Sequence, residues 1–168
     1  MKLRRYASAV AMVLFAGLTG VLVVGAEGTA ASPVSRVEVV LAHHYRSQAP
    51  ALTEEFTQAG MTNVHFQFAR MGQPPQNIGL GREVPADKAR EAIRLALKYN
   101  LGVSILLPER LFPPRFVTIA SSNYDDTVEY PIDRAALASL QNPELTTDEF
   151  HRLYHQLTSS PKTPSGRY

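Results

Sequence analysis

Pro85–Pro108, PADKAREAIRLALKYNLGVSILLP, decides how this chain folds, because it reads as one helix, one tight turn and one strand in direct succession. Pro85 suits the first turn of a helix, where its missing N–H costs nothing. Asp87 places negative charge near the positive end of the helix dipole. Ala89, Ile93, Ala96 and Leu97 recur at i, i+4, i+7 and i+8, one apolar stripe, while Lys88, Arg90, Glu91, Arg94 and Lys98 fall mostly off it. Asn100 and Gly102 are the residues that tolerate a left-handed stop. Val103 to Leu107 then reads as a strand covered on both faces or set in the middle of a sheet. A helix this rich in alanine packs close to such a sheet.

Outward from that stretch, Arg36 to His44 reads as the first strand, with Val37, Val39 and Leu41 on one face. Ser47 is a candidate cap, and Pro50 fits the first turn of a helix carrying Leu52, Phe56 and Ala59, which Gly60 stops. Val64, Phe66 and Phe68 alternate with polar residues as a second strand. Met71 to Val84 is irregular, with Pro74-Pro75 forbidding a helix and a short hairpin strand expected over Asn77 to Leu80. Phe116 to Ala120 and Thr127 to Ile132 complete the strands. Asp133 caps a short helix, Arg134 to Leu140, and Thr146 with Glu149 forms a capping box before a last helix striped by Phe150, Leu153, Tyr154 and Leu157. The fold expected is α+β, a ferredoxin-like two-layer sandwich built on a split βαβ with two C-terminal helices. Without the strand at 77–80, a small βαβαβ parallel-core α/β domain is the alternative.

The chain has 168 residues. Residues 1–32 are expected to be a signal peptide or N-terminal membrane anchor with a linker, residues 33–158 a single α+β domain, and residues 159–168 a flexible tail. Lys2, Arg4 and Arg5 precede Ala7 to Ala26, which carries no charge, and Glu27 ends that run. Val24-Gly25-Ala26 and Thr29-Ala30-Ala31 both offer small residues for cleavage, and the apolar run also matches a bilayer core of ~30 Å at ~1.5 Å per residue. Either way the domain is expected outside the cytoplasm, periplasmic or in the cell envelope, with a membrane met only through the N-terminal segment. There is no cysteine, so disulfides, thiolate metal sites and a lipidated cysteine are excluded. Of 17 Lys and Arg and 15 Asp and Glu, Lys2, Arg4, Arg5 and Glu27 lie in the first 32 residues, which leaves 14 of each sign in the rest. A neutral domain without a basic block argues against nucleic acid as a partner.

The layout of VEVV at 37–40, the helix ending at Gly60, NVHFQF at 63–68, ADKAREAIRLAL at 86–97 and FVTIASSNYDD at 116–126 resembles the C-terminal domain of LytR/CpsA/Psr-type cell-envelope proteins. The chain departs from that pattern at Ala42-His43-His44-Tyr45 and at Gly79 and Gly81. The resemblance implies an envelope setting, with an envelope protein or cell-wall component as partner, and brings no active site.

Candidate chemistry is thin. His151 and His155 stand at i, i+4 on the last helix, a spacing that can hold Zn or Cu, but Arg152 occupies the place where a zincin has Glu. The plainer account is a solvated helix face. His43 and His44 sit at a strand end and point to opposite faces; either could join His65 only if the first two strands are neighbours. Gly79-Leu80-Gly81 precedes a helix, where anions bind, but Pro85 removes one N–H, and a tight turn with close backbone packing is the favoured account of the glycines. The loop carrying Gln73, Gln76, Asn77, Gly79, Gly81 and Arg82 is the expected ligand surface. Ser121 and Ser122 follow a strand, the usual place for a nucleophile, but without GxSxG. Asp125, Asp126 and Glu129 lack EF-hand spacing. The chain is therefore expected to be a non-catalytic binding module without a resident cofactor. A histidine-based metal or small-ligand protein is the alternative, and a hydrolase the third reading.

Overall fold

In the computed structural model, residues 34–122 and 132–159 are described. The expected signal segment, the strand at 127–132 apart from Ile132, Asp125, Asp126, Glu129 and nearly all of the expected tail lie outside them. The order is β1 (Arg36–Ala42), α1 (Ala49–Gln58), β2 (Val64–Ala69), β3 (Asn77–Leu80), α2 (Ala86–Tyr99), β4 (Ile105–Leu107), β5 (Phe116–Ile119), α3 (Arg134–Leu140) and α4 (Thr147–Ser159). The five strands form one mixed sheet, β2-β1-β5-β3-β4. β1 is parallel to both β2 and β5, β3 is parallel to β4, and β3 meets β5 antiparallel.

This is an α+β fold, but its strand order differs from the expected one. A split βαβ keeps another strand between the two parallel strands that a helix joins. Here β1-α1-β2 and β3-α2-β4 each pair directly, and β5 enters between the two units. β3 exists as expected, yet it is no hairpin partner of β2; it pairs with β4 and β5. Nor do the strands make a consecutive βαβαβ core, because the two units run in opposite directions.

Crossovers of this kind are almost always right-handed, which sets both helices on one face of the sheet. Contacts agree: Lys98 and Arg94 of α2 bond Glu55 of α1, and α4 packs against α2 and β4. Val37, Val39, Leu41, Ile78, Leu80, Leu106, Val117 and Ile119 are all essentially buried beneath them. α2 approaches closely through Ala86, Ala89, Ala92 and Ala96. Its neighbours widen the buried arc to include Leu95, whereas Leu97, expected in the stripe, stands 42% exposed. β4 is an edge strand, yet Leu106 and Leu107, which point to opposite faces, are both buried.

Local signals are met in several places. Gly60 stops α1 with φ +81°. Asp133 accepts from the Ala136 N–H at 2.7 Å, and Thr146 with Glu149 closes its capping box. Ser47 is not a cap; it lies within a 3-10 turn, His43–Gln48, that continues into α1. That turn also takes His43 and His44 out of β1. At the end of α2 the left-handed residues are Leu101 and Gly102, not Asn100.

Candidate functional site

Ligands of open α/β sheets gather outside the carboxyl ends of parallel strands. Because the two parallel units run oppositely, this sheet has two such ends, and each carries a cavity.

At the carboxyl end of β1 and β2 a cavity of about 450 Å³ is lined by Val40, Gln67, Arg70, Met71, Gln73 and Ser122, with Pro74 and Pro75 at its rim. Val40 and Gln67 are register partners on the face away from the helices. Gly72, at φ +78°, turns the chain back over them. The loop is then pinned, since Asn100 donates through Nδ2 to the Pro75 carbonyl at 2.6 Å. Met71 stands 91% exposed beside the cavity.

The opposite wall depends on Asn77. Its side chain accepts from the Ser121 N–H at 2.8 Å and donates to the Ser121 carbonyl at 3.1 Å. Its carbonyl accepts from the Ala120 N–H at 2.8 Å. These bonds hold Ala120 at φ +59°, a conformation that a residue with a Cβ adopts at a cost. They place Ser122 at the cavity wall.

Of the ligand surface expected from sequence, only Gln73 lines this cavity. Gln76 supplies the carbonyl that accepts from Ser104 and Ile105. Asn77 is fully buried and spent on Ser121. A Cβ at Gly79 would lie 2.4 Å from the Phe112 ring, and one at Gly81 only 2.0 Å from the Pro113 carbonyl oxygen. The two glycines admit the 112–114 segment against β3, which is the close-packing account of the motif. Arg82 belongs to the second cavity.

That cavity, about 470 Å³ at the carboxyl end of β3 and β4, is lined by Arg82, Glu109, Arg110, Phe112, Pro114 and His155. Behind Glu109 stands His151 of α4. Its Nε2 donates to the Val84 carbonyl at 2.7 Å, and its Nδ1 lies 2.5 Å from Glu109 Oε1. A carbonyl can only accept, so Nε2 carries a proton. Nδ1 faces the Glu109 carboxyl, an arrangement that favours the protonated ring. Burial opposes this charge, but the bond to Glu109, the Val84 carbonyl and the nearby Glu109 and Asp148 charges outweigh it and raise the His151 pKa above 6.5. Tyr154, one turn on, donates to the Ile78 and Leu107 carbonyls, and burial pushes its phenol well up.

The histidines are not gathered. β1 and β2 are neighbours, as a shared His43 or His44 site with His65 requires. Yet His65 is level with Glu38, four residues before Ala42, a rise of about 13 Å at ~3.3 Å per residue before His43 is reached. The His65 ring is bonded to Asn63, toward the other end of the strand. His151 has both ring nitrogens engaged, which leaves no lone pair for a metal shared with His155. Among the described residues no three His, Asp or Glu side chains form a metal-holding group.

A groove of about 950 Å³ runs between α1 and α2. Its polar groups are spent on one another or on backbone: Arg94 on Glu91 and Glu55, Arg90 on the Asn142 and Leu145 carbonyls, Lys88 on the Ala59 carbonyl, and Gln141 on the Arg90 carbonyl. Glu55 also receives Lys98 and the Tyr99 hydroxyl. These donors outweigh its partial burial and lower its pKa. Such a groove is a satisfied helix–helix seam, with little left to offer a ligand.

Val40, Gln67, Glu109, Arg110 and Phe112 were not singled out from sequence. The outward-facing alternation of the first two strands pointed to Val40 and Gln67. The segment from Glu109 to Arg115 reads as a plain connector, and nothing local in it marks a cavity. No helix among the described residues is long and apolar enough to cross a membrane. Comparison with family models, curated proteins and solved structures finds no match to the chain.

Proposed function

We propose that the chain is an exported binding module of the cell envelope that takes a polar ligand, such as a saccharide or peptide portion of an envelope component, in the Gln67–Gln73–Ser122 cavity. The observation that supports this most is the lining itself. Two carboxamides, a hydroxyl and the Arg70 guanidinium stand beside Val40, Met71, Pro74 and Pro75, the mixture of apolar surface and a few polar groups that suits recognition. The wall is held before any ligand arrives, by Asn77 on one side and Asn100 on the other, which lowers the ordering cost of binding. The charged run at the N-terminus, the apolar segment after it and the resemblance to an envelope domain supply the setting.

The test is a photo-crosslinking residue at Gln73 in the full chain, expressed in its native cell, with the same residue at Glu54 as control. Capture of a cell-wall component or an exported protein at Gln73, and not at Glu54, is the expected result. Capture of cytosolic proteins, or equal capture at both positions, contradicts the proposal.

A further inference from the structure

We infer that the second cavity, between Arg82 and Arg110, is a binding site for a phosphate monoester carried on an apolar or aromatic body. It lies at the opposite end of the sheet from the Gln73 cavity and stands independently of the function proposed for that one.

Three observations carry the inference. The first is charge. Arg82 and Arg110 line one cavity and form no ion pair among the described residues, so two guanidiniums share one concave surface. The carboxylate in the lining, Glu109, is engaged by His151. Two guanidiniums are thus left for a ligand, and a dianion matches them better than a single carboxylate does. The guanidinium fork also fits phosphate oxygens two at a time.

The second is shape. Phe112 and Pro114 give the cavity an apolar wall, and Phe112 is held by its stack on Phe116, with ring centroids 5.8 Å apart and planes 10° from parallel. About 470 Å³ exceeds the room that phosphate alone needs, so the ester's body has a place on that wall.

The third is pre-organisation. Gly79 makes room for the Phe112 ring and Gly81 for the Pro113–Pro114 backbone. His151 fastens Glu109 to α4, and Glu109 is the residue before Arg110. The glycine motif therefore builds the wall of the site and is not itself the phosphate cradle.

The test is titration of the full chain with phenyl phosphate, inorganic phosphate, benzoate and phosphatidic acid vesicles. The variants are Arg82→Gln, Arg110→Gln and, as a control on the exposed end of α3, Arg134→Gln. Saturable binding of phenyl phosphate is expected, tighter than inorganic phosphate and benzoate. It should weaken about tenfold or more in Arg82→Gln and in Arg110→Gln, and hold in Arg134→Gln. Thermal unfolding of each variant should match the parent, because both arginines are exposed. Absence of saturable binding, benzoate binding as tightly as phenyl phosphate, binding of the vesicles alone, or binding by Arg82→Gln and Arg110→Gln as tight as the parent's overturns the inference.

Discussion

Glu109 and His151, 42 residues apart, meet as a largely buried ion pair, with Nδ1 2.5 Å from Oε1. The pair ties the turn after β4 to α4, and the second bond of the ring, to Val84, ties α4 to the loop before α2. One imidazole ring thereby joins three segments of the edge of the domain.

A pH dependence follows. The His151 pKa is raised in the folded state, so its stabilisation is fully present below the unfolded value near 6.5 and is lost as pH rises through the folded value. The melting temperature should therefore fall as pH rises from the unfolded value near 6.5 through the folded one. His151→Leu orphans Glu109 and should cost about 1–3 kcal/mol at the acid end, with a flatter pH profile. Thermal unfolding across that range checks both. A profile for His151→Leu that parallels the parent contradicts the assignment.

Gly79→Ala drives a methyl group into the Phe112 ring and should destabilise by about 1–3 kcal/mol. Part of that loss should return in the Gly79→Ala, Phe112→Ala double variant, since the obstacle is a side chain. Gly81→Ala meets the backbone of Pro113 and Pro114, so trimming Phe112 should give it no relief. Denaturant unfolding of the four variants separates the two cases.

Asn77→Ala removes both side-chain bonds to Ser121 and leaves part-buried backbone groups of Ser121 without that partner. A loss of about 2–3 kcal/mol is expected. Amide exchange should quicken at Ser121 and Ser122 more than in α2, because the strained turn at Ala120 then has less to hold it.

Tyr154→Phe keeps the ring and removes the donor to the Ile78 and Leu107 carbonyls. It should cost about 1 kcal/mol in chemical denaturation. In the parent, ultraviolet titration should show one tyrosine that resists ionisation until strongly alkaline pH, and that tyrosine should be missing from Tyr154→Phe.

Local order was legible in the chain where a short window carries its own cause. The alanine stripe of α2, the Gly60 stop, the Asp133 cap and the Thr146–Glu149 box all behave as their spacing demands. Strand order was not legible, because insertion of β5 between β1 and β3 is decided by partners some 40 to 80 residues away in sequence. His43 and His44 misled for a related reason: β1 ends at Ala42, where its pairing with β2 ends, and propensity carries no record of that. The exchange of Leu97 for Leu95 in the buried arc reflects the helices beside α2. At the sites, Gln73 and Arg82 were found from sequence but belong to different cavities. Asn77 was read as a ligand contact and is a brace, its amide buried by a turn that only the folded sheet brings near.

The central proposal is that the envelope ligand is recognised at the carboxyl end of β1 and β2 and not in the helix–helix groove. Amide chemical-shift mapping of the full chain with soluble cell-wall fragments tests it most directly. The account predicts shifts clustered at Gln67, Gln73 and Ser122. Shifts centred on Glu54 and Arg94, or none at saturating fragment, would contradict it.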